Sequence, residues 1–305
     1  MTYVIVFPGQ GSQRVGMGEA FAADPLYAAH LQRVDQILGF ELSELMHNGP
    51  AEQLQQTLYT QLALFTMQTG LYQLWRDRVS EDPLAVAGHS LGEYSALVAA
   101  GAIRFEDALL LVKERAQAMQ VACEQQVGSM AAVIRPDLDC LQMLCQERPD
   151  LLVIANYNSP KQVVISGESQ VLQTVCAEIK VRQAGKVIPL KVSGAFHSPL
   201  MNSASKHLNA TLASTQFLTP ICPVVMNASG QAQTQTESIR QDLQAQICAP
   251  VRWAESVFRL QQFQPDHFIE FGANTLTSLI KQTLEDVSSL TLQSPKDLIL
   301  CQQTI

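Results

Sequence analysis

The feature that most constrains this chain is Gly88-His89-Ser90-Leu91-Gly92, a serine with one glycine two positions before it and another two positions after it. A short apolar run at Leu84–Ala87 predicts a buried strand before the motif, and the pattern from Leu91 to Ala100 predicts a helix after it. A serine on such a sharp turn needs small flanking residues, because larger side chains would clash. The turn also places Ser90 at a helix N-terminus, which favours negative charge. We predict that Ser90 is a nucleophile and that the N–H of Leu91 faces an oxyanion; the alternative is a chance match in a glycine-containing turn.

A second loop with glycines follows the first predicted strand, Tyr3–Phe7. Its sequence is Gly9-Gln10-Gly11-Ser12-Gln13, and the glycines let the backbone approach a ligand closely. The spacing is wrong for a phosphate-binding P-loop, and the lysine of that motif is missing. A second N–H donor to an oxyanion would be well placed here, and a plain turn is the alternative.

The candidate base is His197, which lies in a loop just after a predicted strand at Lys186–Val192. Functional histidines favour such loops, and a base must reach Ser90 by a hydrogen bond. His89 adjoins the nucleophile but is expected to point away from it. Polar helical stretches contain His30, His47 and His207, and surface positions are predicted for these three.

Arg115 falls on the apolar face of a helix predicted from Phe105 to about Val121, in line with Leu111 and Met119. A buried guanidinium needs an anion, and a carboxylate fits it best, through two parallel hydrogen bonds. The alternatives are a structural salt bridge to a buried Asp or Glu, or a side chain that reaches the surface.

The rhythm of the sequence changes between residues 128 and 192. Strands are predicted near 130–134, 151–155, 163–166 and 186–192, and helices near 138–145 and 171–181. This β-α-β-β-α-β order is typical of a ferredoxin-like unit. We therefore predict a small subdomain of residues 128–192, inserted into a large subdomain of residues 1–127 and 193–305. In the large part, helices are predicted around 17–39 and 60–79, and two late strands near 224–226 and 268–271.

Composition excludes several classes of protein. The net charge of −8 argues against a nucleic-acid binder. The seven cysteines are scattered and form no Cys-x-x-Cys pair, so buried free thiols in a reducing compartment are expected rather than disulfides or a zinc site. No segment matches a signal peptide or the ~20 apolar residues of a membrane span, so a cytoplasmic location is predicted.

Together these residues resemble the malonyl-CoA:acyl carrier protein transacylase family, including the free-standing acyltransferases of fatty acid and trans-acting polyketide synthesis. The resemblance runs from Phe7 to Gly272 and is most specific at three segments: Gly88–Leu97, Gly194–Ser198 and Gln246–Trp253. There are two departures. The family often has Gly-Pro-Gly where this chain has Gly272-Ala273-Asn274, and Leu62 replaces a frequent proline.

The resemblance implies a role for each matched residue. Ser90 would be acylated, with His197 as its base. The backbone N–H groups of Gln10 and Leu91 would form the oxyanion hole. Arg115 would bind the malonyl carboxylate, and Gln246 would orient His197 through its backbone carbonyl. The fold implied is α/β, with an α/β-hydrolase-like large subdomain and a ferredoxin-like small one.

The implied reaction is ping-pong transfer of malonyl from malonyl-CoA to the phosphopantetheine thiol of an acyl carrier protein, through a malonyl-serine. No metal or redox cofactor is implied, and a monomer is expected. Phe196 is expected to narrow the pocket, so that malonyl is preferred over methylmalonyl.

A locally basic docking face for the acidic carrier is expected beside the active-site loop. No Asp or Glu occurs between residues 179 and 236, and the basic residues of that window include Lys180, Arg182, Lys186, Lys191 and Lys206. The alternative is a merely solvated set of lysines.

Two other functions remain open at this point. An editing hydrolase that removes stalled acyl groups from carriers would share Ser90 and His197, although Arg115 argues against it. A non-catalytic docking protein would share the fold without the activity.

Overall fold

The structure is a computed structural model that describes residues 1–304. Its strands are β1 (Tyr3–Phe7), β2 (Val86–Gly88), β3 (Gly128–Ile134), β4 (Leu152–Ser159), β5 (Gln162–Glu168), β6 (Lys186–Pro189), β7 (Val224–Val225), β8 (Ala232–Gln233), β9 (His267–Phe271) and β10 (Ser289–Leu292). Its α-helices are α1 (Pro25–Leu38), α2 (Leu42–Asn48), α3 (Ala51–Leu54), α4 (Thr57–Arg78), α5 (Gly92–Ala99), α6 (Phe105–Gln125), α7 (Leu138–Gln146), α8 (Ser169–Val181), α9 (Asn202–Ser214), α10 (Thr236–Gln246), α11 (Trp253–Gln261), α12 (Thr275–Thr283) and α13 (Pro295–Thr304). The mixed α/β class predicted from the sequence is confirmed.

The larger sheet has the strand order β10-β9-β1-β2-β7-β8, and all its pairs are parallel except β7–β8. Every residue of β1 is buried. Its side chains divide between two apolar clusters, Tyr3, Ile5 and Phe7 on one face and Val4 and Val6 on the other. Helices cover both faces of such a sheet, which is why β1 reads as an unbroken apolar run rather than an alternating one.

The parallel order places the carboxyl ends of five strands, β1, β2, β7, β9 and β10, at one edge. The segments that leave β1, β2, β7 and β9 there begin at Pro8, His89, Met226 and Gly272, respectively. Open parallel sheets bind their ligands outside the carboxyl ends of their strands. The predicted nucleophile and the first glycine loop therefore meet at this edge.

The smaller sheet is antiparallel, with the order β4-β5-β3-β6. The predicted β-α-β-β-α-β succession is confirmed in the element order from β3 to β6. One face, which includes Ala131, Val133 and Ile165, packs against α7 and α8. Residues of the other face, among them Met130, Ala132 and Val164, join the main apolar cluster of the chain.

Several boundaries differ from the predictions. The helix predicted from residue 17 begins at Pro25, because the Asp24 carboxylate accepts the Leu26 N–H at 3.0 Å and caps it. Strand β6 ends at Pro189 rather than at residue 192, and proline has no N–H to extend a ladder. Beyond the two predicted late strands, the sheet also contains β8 and β10.

The prediction of a surface position for His30 is wrong. The residue is buried, its Nε2 lies 3.0 Å from the Thr66 carbonyl oxygen, and its ring centroid lies 4.8 Å from that of Phe105. His30 lies on the inner face of α1, where these contacts replace its hydration. His207 is exposed, as predicted, and His47 is half-buried.

Among the described helices, none combines the length and the apolar character that a membrane crossing requires.

Candidate active site

Ser90 occupies the turn between β2 and α5 with a φ of 53°, in the left-handed region that serine rarely adopts. A side chain at Gly88 would bring its Cβ within 3.0 Å of backbone atoms at Gly92, and a side chain at Gly92 would meet the Phe7 carbonyl oxygen equally closely. The turn is thus possible only with glycine at both positions, as the motif predicted. Backbone strain of this kind concentrates at functional sites.

His197 lies within hydrogen-bond distance of the serine, with 2.7 Å between its Nε2 and the Ser90 Oγ. Its Nδ1 lies 2.9 Å from the carbonyl oxygen of Gln246 and 3.2 Å from that of Ala249. Carbonyl oxygens only accept, so Nδ1 carries the ring proton and Nε2 is left to accept from the serine hydroxyl. The backbone carbonyl of Gln246 thus lies where the resemblance implied.

The environment of His197 keeps its imidazole neutral. Burial and then the positive charge of Arg115 lower its pKa to about 3, against the two carbonyls that favour the protonated form. Nε2 is therefore free to take a proton throughout the neutral range.

Arg115 is fully buried, as its helix position predicted, and it reaches the serine. Its Nη2 donates to the Ser90 Oγ at 3.2 Å and to the Gln246 Oε1 at 3.1 Å, while its Nη1 donates to the Oε1 of Gln61. The guanidinium also lies over the ring of Tyr94, with 5.4 Å between the Arg115 Cζ and the ring centroid. No carboxylate within residues 1–304 forms an ion pair with Arg115, and its Nε lacks a partner. The structural salt bridge considered above is not formed.

The two predicted oxyanion donors are free of protein acceptors. In the described part of the chain, neither the Leu91 N–H nor the Gln10 N–H has a hydrogen-bond partner. Leu91 follows Ser90 directly in the chain, and Gln10 lines the same cavity as Ser90. Both groups can therefore donate to a ligand.

That cavity has a volume of about 470 Å³ and lies between the two sheets. Ser90, His197 and the predicted specificity residue Phe196 line it, and so does Asn274 of the departure from the family pattern. Strands β3, β4 and β5 and the segment after β6 contribute further residues, namely Met130, Ala132, Asn156, Asn158, Gln162, Val164 and Leu190. His89 also lines the cavity, and its Nε2 lies 2.9 Å from the Asn158 Oδ1 rather than facing Ser90.

Asn227 is a site residue that the sequence analysis missed. Its Oδ1 accepts the Ser90 N–H at 2.6 Å, and its Nδ2 donates to the Gly88 carbonyl at 2.6 Å, so one amide holds both sides of the strained turn. A signal was available, because Asn227 closely follows β7 at the edge where the nucleophile was expected.

Gln61 and Glu93 were also missed as site residues. Gln61 is buried in α4 and accepts from Arg115, and its Nε2 lies 3.4 Å from the Gln10 Oε1. Glu93 is fully buried in the first turn of α5, where burial raises its pKa to about 8. A glutamine within the apolar stretch of α4 was a readable signal for the first, whereas nothing in the sequence marked the second.

The cysteines are all free thiols; Cys222 and Cys301 are buried and the other five half-buried. Within residues 1–304, no cluster of three His, Cys, Asp or Glu side chains could hold a metal ion.

The fold brings a histidine and a buried arginine within hydrogen-bond distance of one serine, and comparison with known proteins gives the family of the chain. The family model described as "Acyl transferase domain" matches residues 4–295. The chain therefore belongs to the acyl transferase family.

Two curated relatives share one name. The malonyl CoA-acyl carrier protein transacylase of Escherichia coli (strain K12) is 38% identical over 297 residues, 96% of each chain. The protein of the same name from Bacillus subtilis (strain 168) is 35% identical over 305 residues, 98% of this chain and 96% of its own.

Solved structures agree. A malonyl-transacylase in complex with a type II PKS acyl-carrier protein superposes with a TM-score of 0.96 at 34% identity, covering 100% of both chains. The malonyl CoA-acyl carrier protein transacylase of Coxiella burnetii has a TM-score of 0.95 at 33% identity and covers 99% of this chain and 97% of its own.

Proposed function

We propose that this enzyme transfers a malonyl group from malonyl-CoA to the phosphopantetheine thiol of an acyl carrier protein, by way of a malonyl ester on Ser90. The observation that carries the proposal is that one serine oxygen has two partners. The Ser90 Oγ lies 2.7 Å from a neutral imidazole nitrogen of His197 and 3.2 Å from the Nη2 of Arg115. A base and a carboxylate-binding cation thus converge on the nucleophile.

In the first half-reaction, the Ser90 hydroxyl proton passes to the Nε2 of His197 while the Oγ bonds to the thioester carbonyl carbon. The carbon–sulfur bond then breaks, and the departing CoA sulfur takes the proton from His197. In the second half-reaction, the carrier thiol gives its proton to Nε2 and its sulfur attacks the serine ester. The ester carbon–oxygen bond breaks, and the Oγ recovers the proton.

The unpartnered N–H groups of Gln10 and Leu91 are proposed to hold the oxyanion of both steps. Each such donor contributes roughly 3 kcal/mol to the transition state. Donation by the backbone suits this role, because the groups are already in place before charge develops.

Arg115 is proposed to select the acyl group. Its guanidinium has only amide, hydroxyl and aromatic partners, so a substrate carboxylate is its first anionic one. An acetyl group would leave that charge without an anion, which costs a few kcal/mol of discrimination. Phe196, which lines the cavity beside His197, is proposed to exclude an α-methyl branch.

The carrier is proposed to dock on the basic residues of the small subdomain. Lys180, Arg182, Lys186 and Lys191 are all exposed. Among these four, and within residues 1–304, only Arg182 forms an ion pair, with Glu178 at 3.7 Å. Lys191 stands between two residues that line the cavity, Leu190 and Val192. A positive surface there would steer an acidic partner toward the serine.

We also propose that the chain has two subdomains. Residues 1–127 and 193–305 would form an α/β-hydrolase-like subdomain, and residues 128–192 a ferredoxin-like one. The antiparallel sheet that spans residues 128–189 supports it. We also propose a monomer in the cytoplasm, where seven free thiols are compatible with a reducing compartment.

The test is intact mass spectrometry of the protein after brief mixing with malonyl-CoA, with acetyl-CoA and Ser90→Ala as controls. We expect a malonyl adduct on the wild-type protein alone, which disappears when a holo carrier protein gains the group. Free malonate without transfer would instead favour the editing hydrolase, and no adduct with no turnover the docking protein.

A further inference from the structure

Glu93 is a fully buried carboxylate that the mechanism above does not use. It lies three positions after Ser90, and no basic side chain contacts it directly. Both of its oxygens accept hydrogen bonds: Oε1 from the Asn227 N–H and Oε2 from the Gln246 Nε2. These hydrogen bonds tie the Glu93 carboxylate to two residues of the site.

The side chain of Gln246 links Glu93 to Arg115. Its Nε2 donates to Glu93 and, at 2.8 Å, to the Ser90 carbonyl, while its Oε1 accepts from the Arg115 Nη2 at 3.1 Å. Each Glu93 oxygen faces an N–H donor, so an acid proton on either oxygen would have no acceptor, and these contacts favour the ionised form against the burial that raises the pKa. An ionised carboxylate can only accept and a guanidinium can only donate. The two charged groups therefore fix one orientation of the amide between them, with its oxygen toward Arg115.

This arrangement places a negative charge near Arg115 without using the guanidinium N–H groups that would bind a substrate carboxylate. A carboxylate in direct contact would form the strong two-pronged pair that the substrate itself must form. With one amide interposed, Arg115 keeps a buried counter-charge nearby while its hydrogen bonds go to neutral acceptors that a substrate carboxylate can displace. The same amide ties the Ser90 carbonyl to the network.

We propose that Glu93 is a positioning residue which, through the side-chain amide of Gln246, holds Arg115 ready for the carboxylate of the acyl group. The inference rests on the proposed malonyl transfer. It adds a role for a residue that touches neither substrate nor the reacting atoms.

The test is the ratio of kcat/KM for malonyl-CoA to kcat/KM for acetyl-CoA in the acylation of Ser90. In Glu93→Gln the amide of Gln246 loses its fixed orientation, and we expect the ratio to fall about tenfold, the scale of one hydrogen bond to a charged group. General damage to the fold or to the Ser90 turn would lower both constants together and leave the ratio unchanged.

Glu270→Gln is the matched control. Glu270 is also a fully buried glutamate that accepts two N–H groups, from Leu276 at 3.0 Å and from Thr277 at 2.7 Å, but it has no link to Arg115. We expect a lower Tm and an unchanged selectivity ratio.

A double-mutant comparison sharpens the result. If Glu93 acts through Gln246, adding Glu93→Gln to Gln246→Met should change the ratio no further.

A wild-type ratio in Glu93→Gln, with a Tm loss like that of Glu270→Gln, would reduce Glu93 to a structural residue. If Glu93→Gln does not fold, Glu93→Asp is measured in the same way. It keeps the charge but withdraws it by one methylene, and an unchanged ratio there contradicts the inference. A wild-type enzyme that shows no preference for malonyl-CoA would instead overturn the proposed function itself.

Discussion

The two halves of the site are built in different ways. The nucleophile half is mainly local: strand β2, a three-residue turn and helix α5 place Ser90, and backbone sterics require glycine at positions 88 and 92. The Asn227 amide supports this turn from 137 residues away. The carboxylate-binding half is assembled over long range, since the partners of Arg115 in α6 come from α4 and α10, 54 and 131 residues away. Sterics make the first half rigid, whereas the second depends on amide groups that must all point the right way.

The largest expected effect is on the local half. Gly92→Ala places a Cβ against the Phe7 carbonyl oxygen, where neither backbone can yield, and should cost about 3 kcal/mol of unfolding free energy together with the activity. Gly39→Ala is the matched control, because its Cβ meets nothing within 4 Å and only its φ of 76° is unfavourable. We expect about 1 kcal/mol there in urea denaturation. Equal losses at both positions would show that the turn is not sterically locked.

The long-range half should fail in a different way. Arg115→Ala removes the cation, and we expect kcat/KM for malonyl-CoA to fall about a hundredfold while acetyl-CoA is affected far less. Kinetics of Ser90 acylation with both thioesters measure this. Unchanged malonyl kinetics would refute the role assigned to Arg115.

The same division decides what the sequence could predict. The strand-turn-helix around Ser90 and the burial of Arg115 follow from residue size and helical periodicity, and both are confirmed. The position of Asn227 after β7 was a readable signal, but the hydrogen bonds of the Asn227 and Gln246 side-chain amides could not be predicted. A hydrogen-bonding side chain leaves no periodic pattern, and the partners lie more than a hundred residues away. Glu93 was hidden further, since an acid in the first turn of a helix is ordinarily a surface residue that the helix dipole favours.

His197 joins the two halves, and its pH dependence sharpens the comparison. Its lowered pKa of about 3 means that acidification to pH 5.5 leaves the base neutral. An imidazole with the ordinary pKa of about 6.5 would be mostly protonated there and would lose about tenfold in rate. We therefore expect kcat/KM for malonyl-CoA, measured between pH 8 and 5.5, to show no inflection near the ordinary imidazole midpoint of ~6.5. An inflection at that midpoint would show that Arg115 and burial do not act on His197 as described. A separate change near pH 8 would be that of the Glu93 carboxyl.

The smallest expected effect concerns the basic surface on which the carrier is proposed to dock. Lys191 adjoins the cavity, whereas Lys180 lies on α8, which packs on the face of the small sheet away from the cavity. Both lysines are exposed, so reversing either changes the net charge equally. If charge at the mouth guides the carrier, Lys191→Glu should slow transfer from the malonyl-serine to the carrier severalfold and weaken its salt dependence. Lys180→Glu should do less.

Transfer to free pantetheine, an uncharged thiol, separates docking from chemistry. It should be unaffected in both lysine variants, because the acceptor has no charge for the surface to attract. Equal slowing of the carrier by Lys191→Glu and Lys180→Glu would mean that the whole small subdomain attracts the carrier through its long-range field. Slowing of pantetheine as well would place Lys191 with the residues that shape the cavity, and the carrier would then have to be guided from elsewhere.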